Sequence, residues 1–92
     1  MPEAIWKYLI PIEERFIILN LPIGAVPLRF EVQNKCPTLW VRVNPYAILS
    51  PRRFLCVGTG HEINGGPEYR YIGTCLMDDG ALVWHLFEIS DG

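Results

Sequence analysis

The segment Gly58-Thr59-Gly60-His61 holds the most chemically suggestive spacing in the chain. Glycines let a backbone approach a phosphate, and a following histidine can act as acid, base or ligand. A phosphate-binding glycine loop normally opens a helix, whose first amides and dipole hold the anion. Here the chain runs on through Glu62-Ile63-Asn64-Gly65-Gly66-Pro67, which cannot begin a regular helix. The plainer reading is a strand end followed by a wide turn. A metal would draw on His61, Glu62, His85 and a cysteine, but structural zinc sites use close-spaced ligand pairs. No such pair occurs, so the sequence predicts neither metal nor cofactor.

Nucleophilic chemistry has no better anchor. Cys36 precedes a proline, Cys56 lies between apolar residues, and Cys75 stands beside Leu76. Their odd number and lack of CxxC spacing predict reduced thiols, with Cys56 and Cys75 inside strands and Cys36 in a turn. The pairs Glu13-Glu14 and Asp78-Asp79 fall in turn-like surroundings and read as solvated carboxylates. His85 shares a strand face with Val83 and Phe87, which predicts a half-buried imidazole donating to a backbone carbonyl. Catalysis needs convergent groups, and the expectation is a protein that is not an enzyme. Aromatics remain: Trp6, Tyr8, Trp40, Tyr69, Tyr71 and Trp84 all fall in predicted strands. Trp40 beside Arg42, and Tyr71 beside Arg70, are placed on polar faces, as Trp6 and Tyr8 can be on a third. Exposed rings flanked by arginines would form a recognition patch. The competing reading is that the rings fill a small core.

The elements that must position these groups follow a period of two. Eight prolines and eight glycines break the chain at short intervals, leaving little room for helix. Strands are predicted over Ile5–Ile10 and Arg15–Leu19, the second closed by Pro22 and Gly24. Leu28 to Gln33 alternates, with Leu28, Phe30 and Val32 inward and Arg29, Glu31 and Gln33 outward. Thr38 to Val43 alternates too, with Leu39, Val41 and Val43 on one face. The turn-forming Asn34-Lys35-Cys36-Pro37 between them predicts a β-hairpin. After a connection with a short helical turn at Tyr46–Leu49, strands follow over Arg53–Val57, Tyr69–Leu76 and Ala81–Ile89, the last two joined at Asp78-Asp79-Gly80. In the last strand Leu82, Trp84 and Leu86 form an apolar face. About seven short strands predict one all-β domain over residues 1–92, a small antiparallel sandwich or barrel.

Composition narrows the function. The chain is 50% hydrophobic and 20% charged, the opposite of a disordered balance. So much apolar surface on a small domain suggests a homo-oligomer in which a second subunit covers part of it. The net charge is −2 with scattered basic residues, which disfavours general nucleic-acid binding. No apolar run approaches the roughly 20 residues of a membrane span, and no secretory leader is apparent, so a cytoplasmic location is expected.

Several blocks together carry a resemblance. They are Ile5-Trp-Lys-Tyr8, Val32-Gln-Asn34, Cys36-Pro-Thr-Leu-Trp-Val41, Val57-Gly-Thr-Gly-His61, Tyr71-Ile-Gly-Thr74 and Gly80-Ala-Leu-Val-Trp-His-Leu-Phe-Glu88. In order and spacing they resemble a family of short bacteriophage and prophage proteins. The chain departs from that pattern between Pro11 and Pro27 and at Cys36. The resemblance transfers no catalytic residue. It implies a gene expressed in a bacterial host, and hence a host-cytoplasmic protein that binds a host component, as an anti-defence inhibitor would. On that reading the partner surface includes Trp40, Arg42, Arg70 and Tyr71, or the Gly58–Pro67 loop. The alternative is an oligomer that sequesters a small signalling ligand such as a nucleotide. The amides of Gly58, Thr59, Gly60 and His61, the charge of Arg52 or Arg53 and an aromatic ring would then make the site. A third reading is a minor virion or assembly component.

Overall fold

The computed structural model describes residues 2–13 and 15–90. Seven strands form: β1 (Ala4–Leu9), β2 (Phe16–Pro22), β3 (Val26–Gln33), β4 (Cys36–Val43), β5 (Leu49–Gly58), β6 (Glu68–Met77) and β7 (Leu82–Ser90). They make two antiparallel sheets, one ordered β1-β4-β3 and the other β2-β5-β7-β6. The sheets do not close on themselves, so the sandwich expectation holds and the barrel does not. Among the described residues no helix is long and apolar enough to cross a membrane.

The core is the layer between the sheets. Leu39, Val41 and Val43 of β4 and Phe30 of β3 meet Ile17 and Leu21 of β2, Phe54 and Cys56 of β5, Cys75 of β6 and Leu86 of β7. All are buried. Alternation explains the selection, because residues two apart in a strand share a face. Trp40 and Arg42 accordingly turn to the other side of β4. On β1 the inward set is Ala4, Trp6 and Tyr8, with Ala4 and Tyr8 packed on the core. That corrects the placement of Trp6 and Tyr8 on a polar face.

Two β-bulges shift the phase. Register slips between Pro27 and Arg29 in β3, and between Tyr71 and Gly73 in β6. Leu28 is the extra residue of the first bulge and is 47% exposed, not inward as its alternation predicts. Gly73 follows the second bulge where β6 passes β3. A Cβ there would lie 3.1 Å from the Cβ of Phe30, so any larger residue would push β3 and β6 apart by a few tenths of an ångström.

The hairpin turns are tighter than the sequence suggests. Asn34 and Lys35, at φ 50° and 65°, make a two-residue turn. Cys36 already pairs with Gln33, and Pro37 with Val32, so both belong to β4. The right-handed twist of the flanking strands favours such turns with positive φ at both positions. Tyr46 begins no helical turn: its N–H donates to Asn44 Oδ1 at 3.0 Å, and Ala47 N–H to Asn44 O at 3.1 Å. Asp78–Gly80 forms a single 3-10 turn between β6 and β7.

One connection is unlike the others. β5 and β6 both pair antiparallel with β7, so they run parallel to each other. Gly58 lies beside Trp84 at one end of β7, whereas Glu68 lies beside Ser90 at the other. Residues 59–67 must therefore travel the length of β7. The hydroxyl of Tyr69, an outward residue, donates to Asn64 O at 2.7 Å and fixes this segment on the outer side. The segment is a strap across the outside of the four-stranded sheet.

Candidate functional site

The sequence-derived site residues separate into three places. Trp40 and Arg42 stand on the outer face of the three-stranded sheet, where Arg42 Nε lies 3.4 Å from Glu3. That face mixes exposed apolar side chains, Ile5, Leu9 and Val26, with polar pairs. Lys7 Nζ donates to Gln33 Oε1 at 2.7 Å, and Arg29 pairs with Glu31 at 2.7 Å.

Arg52 and Arg70 lie at one end of the sandwich, on the inner side of their strands. Arg52 donates through Nε and one Nη to both oxygens of Glu88, at 2.6 and 2.7 Å, and through the other Nη to Ala25 O at 2.6 Å. The Glu88 hydrogen bond holds the guanidinium even more firmly charged than usual, against the opposing effect of burial. Arg52 thus ties β2's end to β5 and β7 and is no free charge for a ligand. Arg70, the cross-strand neighbour of Glu88 on the other side, is exposed and has no ion pair among the described residues. Arg52, Arg70 and Glu88 line an open cleft of about 780 Å³, together with Tyr69 and Ile89. Arg53 points away from it, on the outer face.

The third place is the end of the four-stranded sheet, where His61 packs on the inner side against Trp84 and Thr59 leads to the outer face. Gly58 N–H donates to His61 Nδ1 at 3.1 Å, His61 N–H to Gly58 O at 3.1 Å, and Thr59 N–H to Val83 O at 3.3 Å. Gly60, at φ 89°, supplies the left-handed turn that this fold-back requires. His61 packs edge-on against Trp84, with ring centroids 6.2 Å apart. The amides of Gly58, Thr59 and His61 are thus committed internally, so the loop is not a phosphate cradle. The imidazole closes the turn.

Thr59 leads instead to His85. Its Oγ1 lies 2.7 Å from His85 Nε2, Thr74 Oγ1 lies 2.9 Å from His85 Nδ1, and Tyr71 Oη lies 2.6 Å from Thr74 Oγ1. The four side chains form one hydrogen-bonded row across β5's end, β7 and β6. The row can run in either sense. If Tyr71 donates to Thr74, Thr74 to Nδ1 and Nε2–H to Thr59, the Thr59 hydroxyl hydrogen is left for a ligand. Reversed, Tyr71 O–H is left. Both imidazole nitrogens meet hydroxyls, which donate or accept as needed, so the row is satisfied whichever nitrogen is protonated. This corrects the expectation that His85 donates to a backbone carbonyl.

Around the row the face is aromatic. Tyr69 and Tyr71 meet Phe87 edge-on, at 6.2 and 5.6 Å between centroids. Leu55, Val57 and Ile89 are buried here although no second sheet covers them. Tyr71 and Leu76 are exposed, at 59% and 60%. The residues that sequence reasoning missed are Thr74 and the role of His85. Strict alternation puts Tyr71 and Thr74 on opposite faces, and only the bulge at Ile72 brings them together.

Metal chemistry has no support among the described residues, where no group of three or more His, Cys, Asp or Glu converges. The three cysteines are free: Cys36 is exposed as the first residue of β4, and Cys56 and Cys75 are buried in the core. Burial, followed by the influence of Cys75, pushes the Cys56 thiol up to about 11. Burial and then Glu31 do the same to Cys75. Neither is a ready nucleophile. Of the acidic pair Glu13-Glu14, Glu14 lies outside the described residues.

No curated protein and no solved structure matches the chain. The family model described as Domain of unknown function (DUF7352) matches residues 1–92, and the chain belongs to that family.

Proposed function

We propose that the chain is a non-catalytic binding protein that recognises a partner protein with the outer face of its four-stranded sheet. The observation that carries this reading is the row Thr59–His85–Thr74–Tyr71. Ordering side chains costs conformational entropy, and hydrogen bonds open to water return little stability for it. A row held in place on an exposed surface has its ordering cost met before any partner arrives, which favours binding. Tyr71 beside it offers an amphipathic ring of the kind enriched at interfaces. Thr59 and His85 alone resemble a hydroxyl–imidazole dyad, but the third group is a threonine rather than a carboxylate, which gives the imidazole no charge to lean on. The resemblance of the sequence blocks to phage proteins makes a bacterial host component the natural partner, and inhibition of a host defence the natural purpose.

The test is capture of partners from bacterial lysate by immobilised protein, with face-specific variants alongside. Tyr71→Asp and Leu76→Asp are expected to lose the partners retained by the wild type. Trp40→Asp and Arg42→Asp, on the opposite face, are expected to keep them. Loss only on the second pair would refute the reading. A second reading, a small anionic ligand, rests on Arg70, which faces the end cleft and has no ion pair among the described residues. Mass spectrometry of material released from the purified protein checks it, and an empty protein removes it.

A further inference from the structure

The two sides of the sandwich end differently. On one side the edge strands β3 and β6 pack closely at Phe30 and Gly73 and carry charged residues, Arg29 and Glu31 in β3 and Glu68 and Arg70 in β6. On the other, β1 pairs only with β4 and β2 only with β5.

Parity shows which groups these open edges present. In an antiparallel pair each residue turns its N–H and C=O to the same side, and the side alternates along the strand. Arg15 O accepts from Cys56 N–H, and Ile23 N–H donates to Ile48 O. Odd residues of β2 therefore face β5. Phe16, Ile18 and Asn20 turn their amides and carbonyls outward, and Pro22, which has no N–H, ends that row. In β1, Ile10 N–H donates to Pro37 O, so Ile5, Lys7 and Leu9 are the outward set.

The two edges are not equally protected. An inserted lysine guards β1 at the centre of its outward row. β2 has no charged residue from Phe16 to Pro22, and its outward positions carry Phe16 and Ile18, 56% and 65% exposed. A flat apolar edge without a charge is a template for another strand.

We propose that β2 pairs antiparallel with β2 of a second copy of this chain, about a two-fold axis at Ile18. That register sets Ile18 opposite Ile18 of the second copy and Phe16 opposite Asn20. It uses every free N–H and C=O of Phe16, Ile18 and Asn20, stops at Pro22, and opposes no like charges. A second copy fits because a two-fold matches the row of donors and acceptors to itself. The two four-stranded sheets then become one eight-stranded sheet, which carries both Thr59–Tyr71 rows on the same face. The proposal does not depend on the function assigned to that row.

Analytical ultracentrifugation of the full chain over a wide concentration range tests it. The wild type is expected to pass from its 10.5 kDa monomer to twice that mass as concentration rises. Ile18→Lys places two ammonium groups face to face and is expected to stay monomeric at every loading. Ile5→Lys, the same change on the β1 edge, is expected to dimerise like the wild type. Circular dichroism and melting temperature, unchanged in both variants, separate lost pairing from lost folding. The register has its own readout. Hydrogen-bonded antiparallel pairs hold Cα atoms about 5.5 Å apart, within the range a disulfide spans. Ile18→Cys in a Cys36→Ser background is expected to form a disulfide-linked dimer on mild oxidation. A wild type that remains monomeric when concentrated, dimerisation that survives Ile18→Lys, dimerisation lost equally with Ile5→Lys, or no cross-link at position 18 would each overturn the proposal.

Discussion

The two outer faces of the sandwich have opposite construction. On the three-stranded sheet, long charged side chains pair over the surface: Lys7 with Gln33, Arg29 with Glu31, Arg42 with Glu3. Such exposed pairs contribute little energy, and they stand among exposed Ile5, Leu9 and Val26. On the four-stranded sheet the ordering comes from uncharged groups. A strap crosses the strands, Leu55 and Val57 are buried on what should be an outside surface, and a hydroxyl–imidazole row is fixed beside exposed Tyr71. A fold with one dry interior has effectively added a second, thinner one. Among the described residues, the buried cluster and the fixed hydroxyl–imidazole row both belong to the four-stranded face.

If Leu55 belongs to a true second core layer, Leu55→Ala should cost about 2–5 kcal/mol, the range for buried leucines. Urea denaturation checks this, and a cost below about 1 kcal/mol would reduce the four-stranded face to an ordinary surface. The layer beneath both faces is probed by alkali. The Cys56 and Cys75 thiols are raised to about 11 from an unfolded value of 9.0. The unfolded chain therefore loses these protons first, so stability is full below pH 9 and falls as pH rises toward 11. The loss is on the order of 2–3 kcal/mol per thiol. Chemical denaturation from pH 8 to pH 11 measures it, and Cys75→Ala should flatten the slope. Tyr69→Phe removes the hydroxyl that holds the strap at Asn64 and should cost about 1 kcal/mol. Hydrogen exchange should then quicken in residues 59–67 while β3 and β4 keep their protection. The smallest effect belongs to the other face: Arg29→Ala should change stability by less than about 0.5 kcal/mol in the same denaturation assay.

The alternating strands were legible because burial on one face leaves a period-two record. Leu39, Val41 and Val43 against Trp40 and Arg42 is such a record, and it survives in the structure. What escaped reading was whatever breaks the period. The bulge at Leu28 turned an inward residue out, and the bulge at Ile72 joined Tyr71 to Thr74 across an apparent change of face. Proline was a second source of error. Pro27 and Pro37 look like breakers, yet both are strand residues. Pro27 sits on an edge strand where parity turns its nitrogen off the ladder, and Pro37 lies at the start of β4. The candidate site was visible as the Gly58–His61 loop and Tyr71, but its chemistry was not. Arg52, read as a free charge, is claimed by Glu88 from far along the chain. His61, read as the chemical histidine, closes a turn, while His85 holds the row. Pairings between side chains distant in sequence leave no local pattern to read.

The central claim is that the four-stranded face is the one a partner covers. Hydrogen-exchange footprinting of the protein, free and bound to a captured partner, addresses it directly. Slowed exchange is expected in residues 59–67, in β6 from Tyr69 to Thr74 and in β7 around His85, with β3 and β4 unchanged. Protection confined to Arg29–Gln33 and Trp40–Arg42 would contradict it.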